Sequence, residues 1–98
     1  MMVQHMVWIA FNPGVDDITI NEILEGLRAL KTQVPGVIHL SVGENFTDRA
    51  PGVTHALLVT LESKAALATY AQHPAHVAAA GPLKANASLT AVDYEFMD

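Results

Sequence analysis

Four segments of the chain have the alternating or continuous apolar pattern that is typical of β-strands. They cover residues 3–11, 37–46, 54–61 and 88–97. The first and third are apolar on both alternating faces, as expected of central strands, whereas the second keeps one polar face, as expected of an edge strand. The pattern therefore predicts a four-stranded sheet with the first and third strands in its centre.

The segment between the first two strands repeats apolar residues at helical spacing over residues 20–34. Asp16 and Asp17 are acidic helix-start signals, and Thr19 and Glu22 have the spacing of a capping box. A Pro-Gly pair ends the run. We therefore predict a first helix that begins near these acidic residues.

A second helix is predicted after the third strand, where Ser63 is a good N-cap for residues 64–72. The segment of residues 73–76, with sequence HPAH, then interrupts the helical pattern. A short Ala-rich turn is expected to follow it as far as Leu83. The segment is named the HPAH segment below.

The order strand, helix, strand, strand, helix, strand predicts an α+β, ferredoxin-like domain over residues 3–97. Such a domain has a four-stranded antiparallel sheet with both helices on one face. We expect its first and third strands to be parallel neighbours that a right-handed crossover joins.

The sheet face that the helices leave uncovered is unusually apolar. It would carry Met6, Trp8, Leu58, Val92, Tyr94 and Phe96. Two such sheets packed face to face would bury this surface, so we predict a homodimer. A monomer with an apolar sheet face is the alternative.

Composition excludes several classes of protein. The formal net charge of −5, with five Lys and Arg residues, argues against a nucleic-acid binder. The absence of cysteine excludes a disulfide scaffold and thiol catalysis. The apolar start of the chain has no basic region and is too short to span a bilayer, so we expect a cytoplasmic protein that does not enter membranes.

Histidines and carboxylates are predicted to converge at one end of the sheet. If the first and third strands are parallel, His5 and His55 lie at the same end, and the second helix returns the HPAH segment to it. The last strand, antiparallel to the first, would bring Asp93 or Glu95 there. The expected cluster, with Tyr70, suits proton transfer, because an imidazole titrates near neutral pH.

An apolar wall beside this cluster would suit an organic ligand. Leu57 and Val59 share the predicted helix-side face with His55 and would supply part of that wall. Plainer interpretations stay open: His73 as an N-cap before Pro74, and His55 or Tyr70 as ordinary core residues.

A zinc site is also conceivable. It would use the side chains of His5, His55, His76 and Asp93. Their spacing matches neither the helical two-histidine motif nor H-E-x-x-H, so we predict no metal and no other cofactor.

Five short motifs together resemble those of the stress-responsive α/β-barrel domain family, in the dimeric α+β barrel superfamily. They are Val3-x-His5, Leu30 to Gly36 (LKTQVPG), Gly43-x-Asn45, His55 before an apolar strand, and Tyr70-x-x-His73-Pro74-x-His76-Val77. The resemblance covers essentially the whole chain. It implies a homodimer whose sheets close into a barrel, with a pocket between sheet and helices in each subunit.

Some plant members of this family are polyketide cyclases that catalyse an intramolecular aldol condensation. The resemblance implies that Tyr70 and His76 would act together in catalysis and that His5 would line the same pocket. Leu27 stands where those cyclases have a further pocket tyrosine, and residues 78–80 are alanines where they have bulkier aromatic residues. These departures imply a different substrate, or a pocket kept for binding alone.

Two classes of function follow. In the first, a cyclase- or lyase-type enzyme acts on a small apolar carbonyl compound: His76 moves a proton next to the carbonyl, Tyr70 holds its oxygen, and His5 or His55 assists. The second is a non-catalytic dimer that binds small molecules or protects against stress. A cofactor-free monooxygenase is less favoured, because the HPAH segment points elsewhere.

Overall fold

The computed structural model describes residues 1–97 and places four strands in one antiparallel sheet. Its elements are β1 (Met2–Phe11), α1 (Asp17–Gln33), β2 (Val37–Glu44), β3 (His55–Leu61), α2 (Lys64–Gln72), α3 (Pro74–Asn86) and β4 (Ala87–Phe96). The strand order is β2-β3-β1-β4, so β1 and β3 are central and β2 is an edge strand, as predicted. The ferredoxin-like class is confirmed.

The predicted parallel pairing of β1 and β3 is wrong, since these strands are antiparallel. The crossover through α1 makes β2 run in the same direction as β1, and the β2–β3 connection then reverses the chain. Because β3 lies between them, it opposes both. His55 therefore sits opposite Ile9, while His5 sits opposite Val59. The two histidines are four strand positions apart, about 13 Å at the rise of a β-strand.

The helix starts depend on short polar side chains. Asp16 is the N-cap of α1, and its Oδ1 accepts a hydrogen bond from the backbone N–H of Thr19 at 2.8 Å. The predicted capping box that begins at Thr19 is therefore wrong, because that residue already lies in the first turn. Ser63 caps α2 as predicted, and its Oγ accepts from the backbone N–H of Ala66 at 3.1 Å.

The Ala-rich segment after residue 76 is a helix rather than the short turn that the sequence predicted. It belongs to α3, which has 13 residues and continues through Pro82. A proline inside a helix removes one backbone hydrogen bond, to the carbonyl of Ala78 here. Alanine has the highest helix propensity, and the burial of Ala80 and Leu83 holds the segment on the sheet.

The core lies between the helices and the inner face of the sheet. Its most deeply buried large side chains are Val3, Ile9, Leu27, Leu30, Val59, Leu61 and Tyr70. The opposite, outer face remains partly open: Val92 is 40% exposed and Tyr94 49%. Beside Trp8, this face carries an apolar depression of about 380 Å³.

No helix within residues 1–97 combines the length and the apolar character needed to cross a membrane.

Candidate functional site

Three aromatic side chains from three elements meet between the sheet and the helices. Tyr70, in the last turn of α2, lies between His5 of β1 and His76 of α3. Its ring centroid is 5.8 Å from that of His5 and 4.5 Å from that of His76. The structure thus brings together the three residues that the sequence analysis proposed as catalytic.

The HPAH segment explains how His76 reaches this position. His73 has extended backbone angles and ends α2, and its Nδ1 accepts a hydrogen bond from the backbone N–H of Ala75 at 3.1 Å. Pro74 occupies the first turn of α3, where a missing N–H costs nothing. The N-cap interpretation of His73 is therefore confirmed, and the new helix direction carries His76 back toward Tyr70.

The imidazole of His76 also completes the end of α2. Its Nδ1 lies 3.1 Å from the carbonyl oxygen of Ala71, one of the carbonyls that has no partner within its own helix. Since a carbonyl can only accept, Nδ1 is the protonated nitrogen that donates. In the neutral ring, Nε2 is then left as the acceptor.

His5 is oriented in the same manner by a carboxylate. Asp93 is its cross-strand partner on β4, and the Nδ1–H of His5 donates to Asp93 Oδ1. Asp93 or Glu95 was expected at this place from the strand order, and Asp93 is the residue that reaches it. Both imidazoles therefore have Nδ1 fixed and Nε2 available to accept a proton.

The hydroxyl of Tyr70 is the unusual group of the site. The residue is only 1% exposed, and within residues 1–97 its oxygen has no hydrogen-bond partner. Burial raises the pKa of Tyr70 to about 12, so the hydroxyl stays protonated and can donate. An unsatisfied buried polar group costs about 1–3 kcal/mol, which a ligand oxygen would recover.

Burial acts in the opposite direction on His76, because its charged form is the protonated one. It lowers the pKa of His76, the hydrogen bond to the Ala71 carbonyl opposes this, and the charges of His5 and Lys84 lower the pKa further. His76 is consequently neutral near pH 7. A neutral imidazole with a free Nε2 can serve as a base.

A cavity of about 200 Å³ adjoins the three rings. It is lined by His5, Val7, Leu27, Leu57, Leu67, Tyr70, Ala71, His76, Ala80, Leu83, Lys84, Leu89 and Ala91. Most of these side chains are apolar, and the polar ones gather around Tyr70 and on α3. The cavity is named the inner cavity below.

Part of this lining was predicted from the sequence. Leu27 and Leu57 line the inner cavity, whereas Val59 is fully buried in the core and does not. Asp93 reaches the site through its bond to His5 and not as part of the lining.

Ala80 and Leu83 were missed because the sequence placed them in a turn, and Lys84 because it follows that turn directly. A signal was present: His76, Ala80 and Leu83 are spaced by four and three residues, which puts them on one face of a helix. Pro82 concealed that pattern.

His55 does not belong to this site, contrary to the prediction. It is 7% exposed at the opposite end of the sheet, its Nδ1 lies 2.9 Å from Thr54 Oγ1, and its ring packs edge-on against Phe11 at 5.1 Å. Burial lowers the pKa of His55, and the charge of Glu44 partly opposes this. The alternative interpretation, a satisfied core histidine, describes it.

The conceivable zinc site is not assembled, because His55 lies far from His5 along the sheet. Within residues 1–97, no three His, Cys, Asp or Glu side chains are grouped so that they could hold a metal ion.

Comparison with known proteins gives relatives along the whole chain. The uncharacterized protein SCO4036 of Streptomyces coelicolor is 30% identical over 97 residues, which are 97% of this chain and 100% of that protein. The stress-response A/B barrel domain-containing protein HS1 of Arabidopsis thaliana is 32% identical over 77 residues, 76% of this chain and 71% of that protein.

Solved structures share the fold. A dimeric protein of ferredoxin-like fold from Bacteroides fragilis superposes with a TM-score of 0.83 at 29% identity, over 97% of this chain and 96% of that chain. A hydroxynitrile lyase from Passiflora edulis gives a TM-score of 0.88, over 95% and 91% of the two chains. Its identity of 21% establishes likeness of fold alone.

The family model described as the stress responsive A/B barrel domain matches residues 3–96, nearly the entire chain. The chain therefore belongs to the stress responsive A/B barrel domain family.

Proposed function

We propose that this protein is an acid–base enzyme that acts on a small, mainly apolar carbonyl compound. It would remove a proton from the carbon atom beside the carbonyl group, or return one to it. One observation carries the proposal: the ring of Tyr70 lies between two imidazoles and lines the inner cavity, and its buried hydroxyl has no partner within residues 1–97. A carbonyl oxygen of a ligand is the acceptor that this hydroxyl lacks.

The reaction would begin with the carbonyl oxygen accepting a hydrogen bond from Tyr70. Nε2 of the neutral His76 would then take a proton from the carbon beside the carbonyl. The negative charge that develops on the oxygen would be stabilised by the Tyr70 hydroxyl. His5, with Nδ1 held by Asp93, would return or accept the second proton.

The product of that first step is an enolate, and its fate decides the type of enzyme. Attack on a second carbonyl of the same molecule forms a carbon–carbon bond, as in a cyclase. The reverse direction breaks such a bond, as in a lyase. The Passiflora edulis hydroxynitrile lyase demonstrates that this fold can carry a lyase, although its 21% identity says nothing about the residues of this site.

The inner cavity also limits the ligand. Its volume of about 200 Å³ lies below the range of about 300–1,000 Å³ typical of drug-sized ligands. Side chains such as Leu83, Leu89 and Ala91 make its walls apolar. A compact molecule with one hydrocarbon side and one or two carbonyl groups would fit best.

Proton exchange tests this proposal without knowledge of the natural substrate. Cyclohexanone in D₂O exchanges its α-protons for deuterium, and NMR follows the loss of their signals. We expect the protein to accelerate this exchange above an equal concentration of free imidazole, with saturation as the ketone concentration rises. No acceleration over imidazole would contradict the catalytic proposal.

Binding without turnover is the second candidate function, and the apolar character of most of the cavity wall favours it. It predicts that cyclohexanone shifts the NMR signals of Tyr70 and His76 while its α-protons exchange no faster than in imidazole solution. The same titration therefore separates the two candidates.

We further propose that the protein is a homodimer that packs through the outer face of the sheet. The exposed apolar side chains of Val92 and Tyr94 and the depression beside Trp8 support this, as does the dimeric state of the Bacteroides fragilis protein. Sedimentation should give a species of twice 10.5 kDa at micromolar concentration.

Variants of two apolar residues test the surface used. Trp8→Glu would bury an unpaired charge in the interface and should give monomers. Ile18→Glu is the matched control, since Ile18 is 71% exposed on α1, away from the outer face, and should leave the dimer intact. A wild-type species near 10.5 kDa, or a Trp8→Glu dimer, would contradict the proposal.

A further inference from the structure

Lys84 is the one lysine in the lining of the inner cavity. Two ion pairs form within residues 1–97: His5 with Asp93, and Lys64 with Glu95 at 3.2 Å. Neither includes Lys84, and Asp93, whose carboxylate lies beside His5, is already engaged. Lys84 is an exposed residue that contributes to the lining, and its positive charge has no carboxylate partner within residues 1–97.

Lys84 lies on the same helix as His76, about two turns further along α3. Lys84 and His76 are eight residues apart, about 12 Å along a helix axis. Helical side chains lean toward the N-terminus of their helix, so the Lys84 side chain leans toward His76. The two are near enough for the charge of Lys84 to lower the pKa of His76.

We infer that the ligand of the inner cavity carries a carboxylate, which pairs with the ammonium group of Lys84 while its carbonyl faces Tyr70. The inference rests on the proposed function for the role of the cavity and adds the class of substrate: a small oxo acid with an apolar body. The hydrocarbon part would contact Leu83 and Leu89 on the cavity wall.

The charge of the cavity supports an anion over a cation or a neutral compound. Of its polar groups, the Tyr70 hydroxyl and Lys84 can donate hydrogen bonds to a ligand, whereas the free Nε2 atoms of the two imidazoles accept them. The enolate formed during proton abstraction is itself an anion, and Lys84 would stabilise it at longer range. A ligand ammonium group would meet like charge instead.

A purely structural role for Lys84 makes a different prediction. Lys84 is in the last turn of α3, where a cation interacts favourably with the helix dipole. That role implies that loss of the charge lowers the unfolding temperature equally with and without ligand. It implies no discrimination between charged and neutral ligands.

Benzoate and benzamide are suitable probes, because they have nearly the same shape and differ in charge. NMR titrations of the wild-type protein should give an affinity for benzoate about tenfold higher than for benzamide, the order expected of one charge-assisted hydrogen bond in a partly exposed site. Lys84→Met should remove this preference by weakening benzoate binding alone. Lys64→Met, which removes a lysine paired outside the cavity, should keep it.

Several results would overturn the inference. They are equal affinities for the two probes in the wild type, no benzoate binding in the millimolar range, and an unchanged preference in Lys84→Met. A lower unfolding temperature in Lys84→Met with the preference intact would assign Lys84 to helix stability instead.

The test is independent of catalysis. Benzoate has no α-proton and reports only on anion binding, whereas cyclohexanone has no carboxylate and reports on ketone binding and proton transfer without a contribution from an anion. If the protein does not accelerate exchange but prefers benzoate in a way that depends on Lys84, it is a carboxylate-binding protein and not an enzyme. If the protein accelerates exchange but does not prefer benzoate, the proposed enzyme activity stands and an oxo acid is not its substrate class.

Discussion

The two ends of the sheet carry histidines in different surroundings: His55 is buried, whereas His76 is half-buried. At one end, the Nδ1 of His55 bonds to Thr54 Oγ1, which itself accepts from the N–H of Phe11 at 3.2 Å and donates to the carbonyl of Ile9. All the hydrogen-bonding capacity of the Thr54 hydroxyl is therefore used within the protein. At the other end, the ring of His76 adjoins the ring of Tyr70, and both line the inner cavity; the Tyr70 hydroxyl has no partner within residues 1–97.

Burial lowers the pKa of both histidines, so a shifted pKa does not tell a working imidazole from a structural one. Perturbed pKa values are common at functional sites but occur in structural networks as well. The surroundings of the two histidines differ instead: a buried polar side-chain group without a hydrogen-bond partner lies near His76, next to a cavity, and none lies near His55 within residues 1–97. Buried polar groups are nearly always satisfied, so the unpartnered hydroxyl of Tyr70 is the more informative signal.

The largest expected difference between the two ends is in turnover. His76→Ala should slow the exchange of cyclohexanone α-protons by about 10²–10⁴-fold, the usual contribution of a general acid or base. Ligand binding should fall far less. His39→Ala, at an exposed position on β2, is the control and should exchange at the wild-type rate. Equal losses of binding and rate in His76→Ala would favour the binding module.

Tyr70→Phe should separate activity from stability at the same end. Removal of the hydroxyl should slow exchange by about 10²–10³-fold, as the loss of one donor to a developing oxyanion does. The free energy of unfolding should stay constant or rise by about 1 kcal/mol, because a buried group without a partner is removed. Urea denaturation measures this, and clear destabilisation would mean that the hydroxyl has a structural partner in solution.

His55→Ala should show the opposite behaviour. The change leaves a cavity against Phe11 and removes the bond to Thr54, at a cost of about 2–4 kcal/mol in the free energy of unfolding. The exchange rate of the folded fraction should match the wild type. A more than tenfold loss of exchange rate in a folded His55→Ala variant would mean that His55 takes part in catalysis.

Acid should destabilise the protein through both ends. The folded pKa values of His55 and His76 lie below the ordinary 6.5, so the unfolded chain binds protons first as the pH falls. The free energy of unfolding should therefore be highest above pH 6.5, decrease below it, and level off once the folded histidines are also protonated. His55→Gln should reduce this slope in urea titrations across pH, and an unchanged slope would contradict the role of His55.

The sequence predicted the elements near the site better than their relative directions. The apolar pattern of β1, the Ser63 cap and the break in the helical pattern at the HPAH segment are local signals, and each was interpreted correctly. The placement of His55 depended on the direction of β3, which the connection through β2 determines and no local residue encodes. One error in direction moved that histidine to the wrong end of the sheet.

Tertiary packing explains the second error, in α3. Pro82 and the glycine before it argue locally against a helix, yet Ala80 and Leu83 are buried against the rest of the fold. The α3 side of the inner cavity could not be inferred without that helix, since Lys84 and its neighbours line it. The unpartnered Tyr70 hydroxyl was equally hidden, because the absence of a partner is a property of the assembled core.

The smallest effect is expected at His73, which lies in the same segment as His76 but only caps α3. Asparagine can accept the same hydrogen bond from Ala75, so His73→Asn should change the free energy of unfolding by less than about 0.5 kcal/mol and leave exchange at the wild-type rate. His73→Ala has no acceptor and should cost about 1 kcal/mol. Because the cap fixes where α3 begins, a rate loss in His73→Ala that Asn restores would mean that His73 positions His76. A rate loss in both variants would instead place the imidazole of His73 in the chemistry and end the distinction between capping and working histidines in this segment.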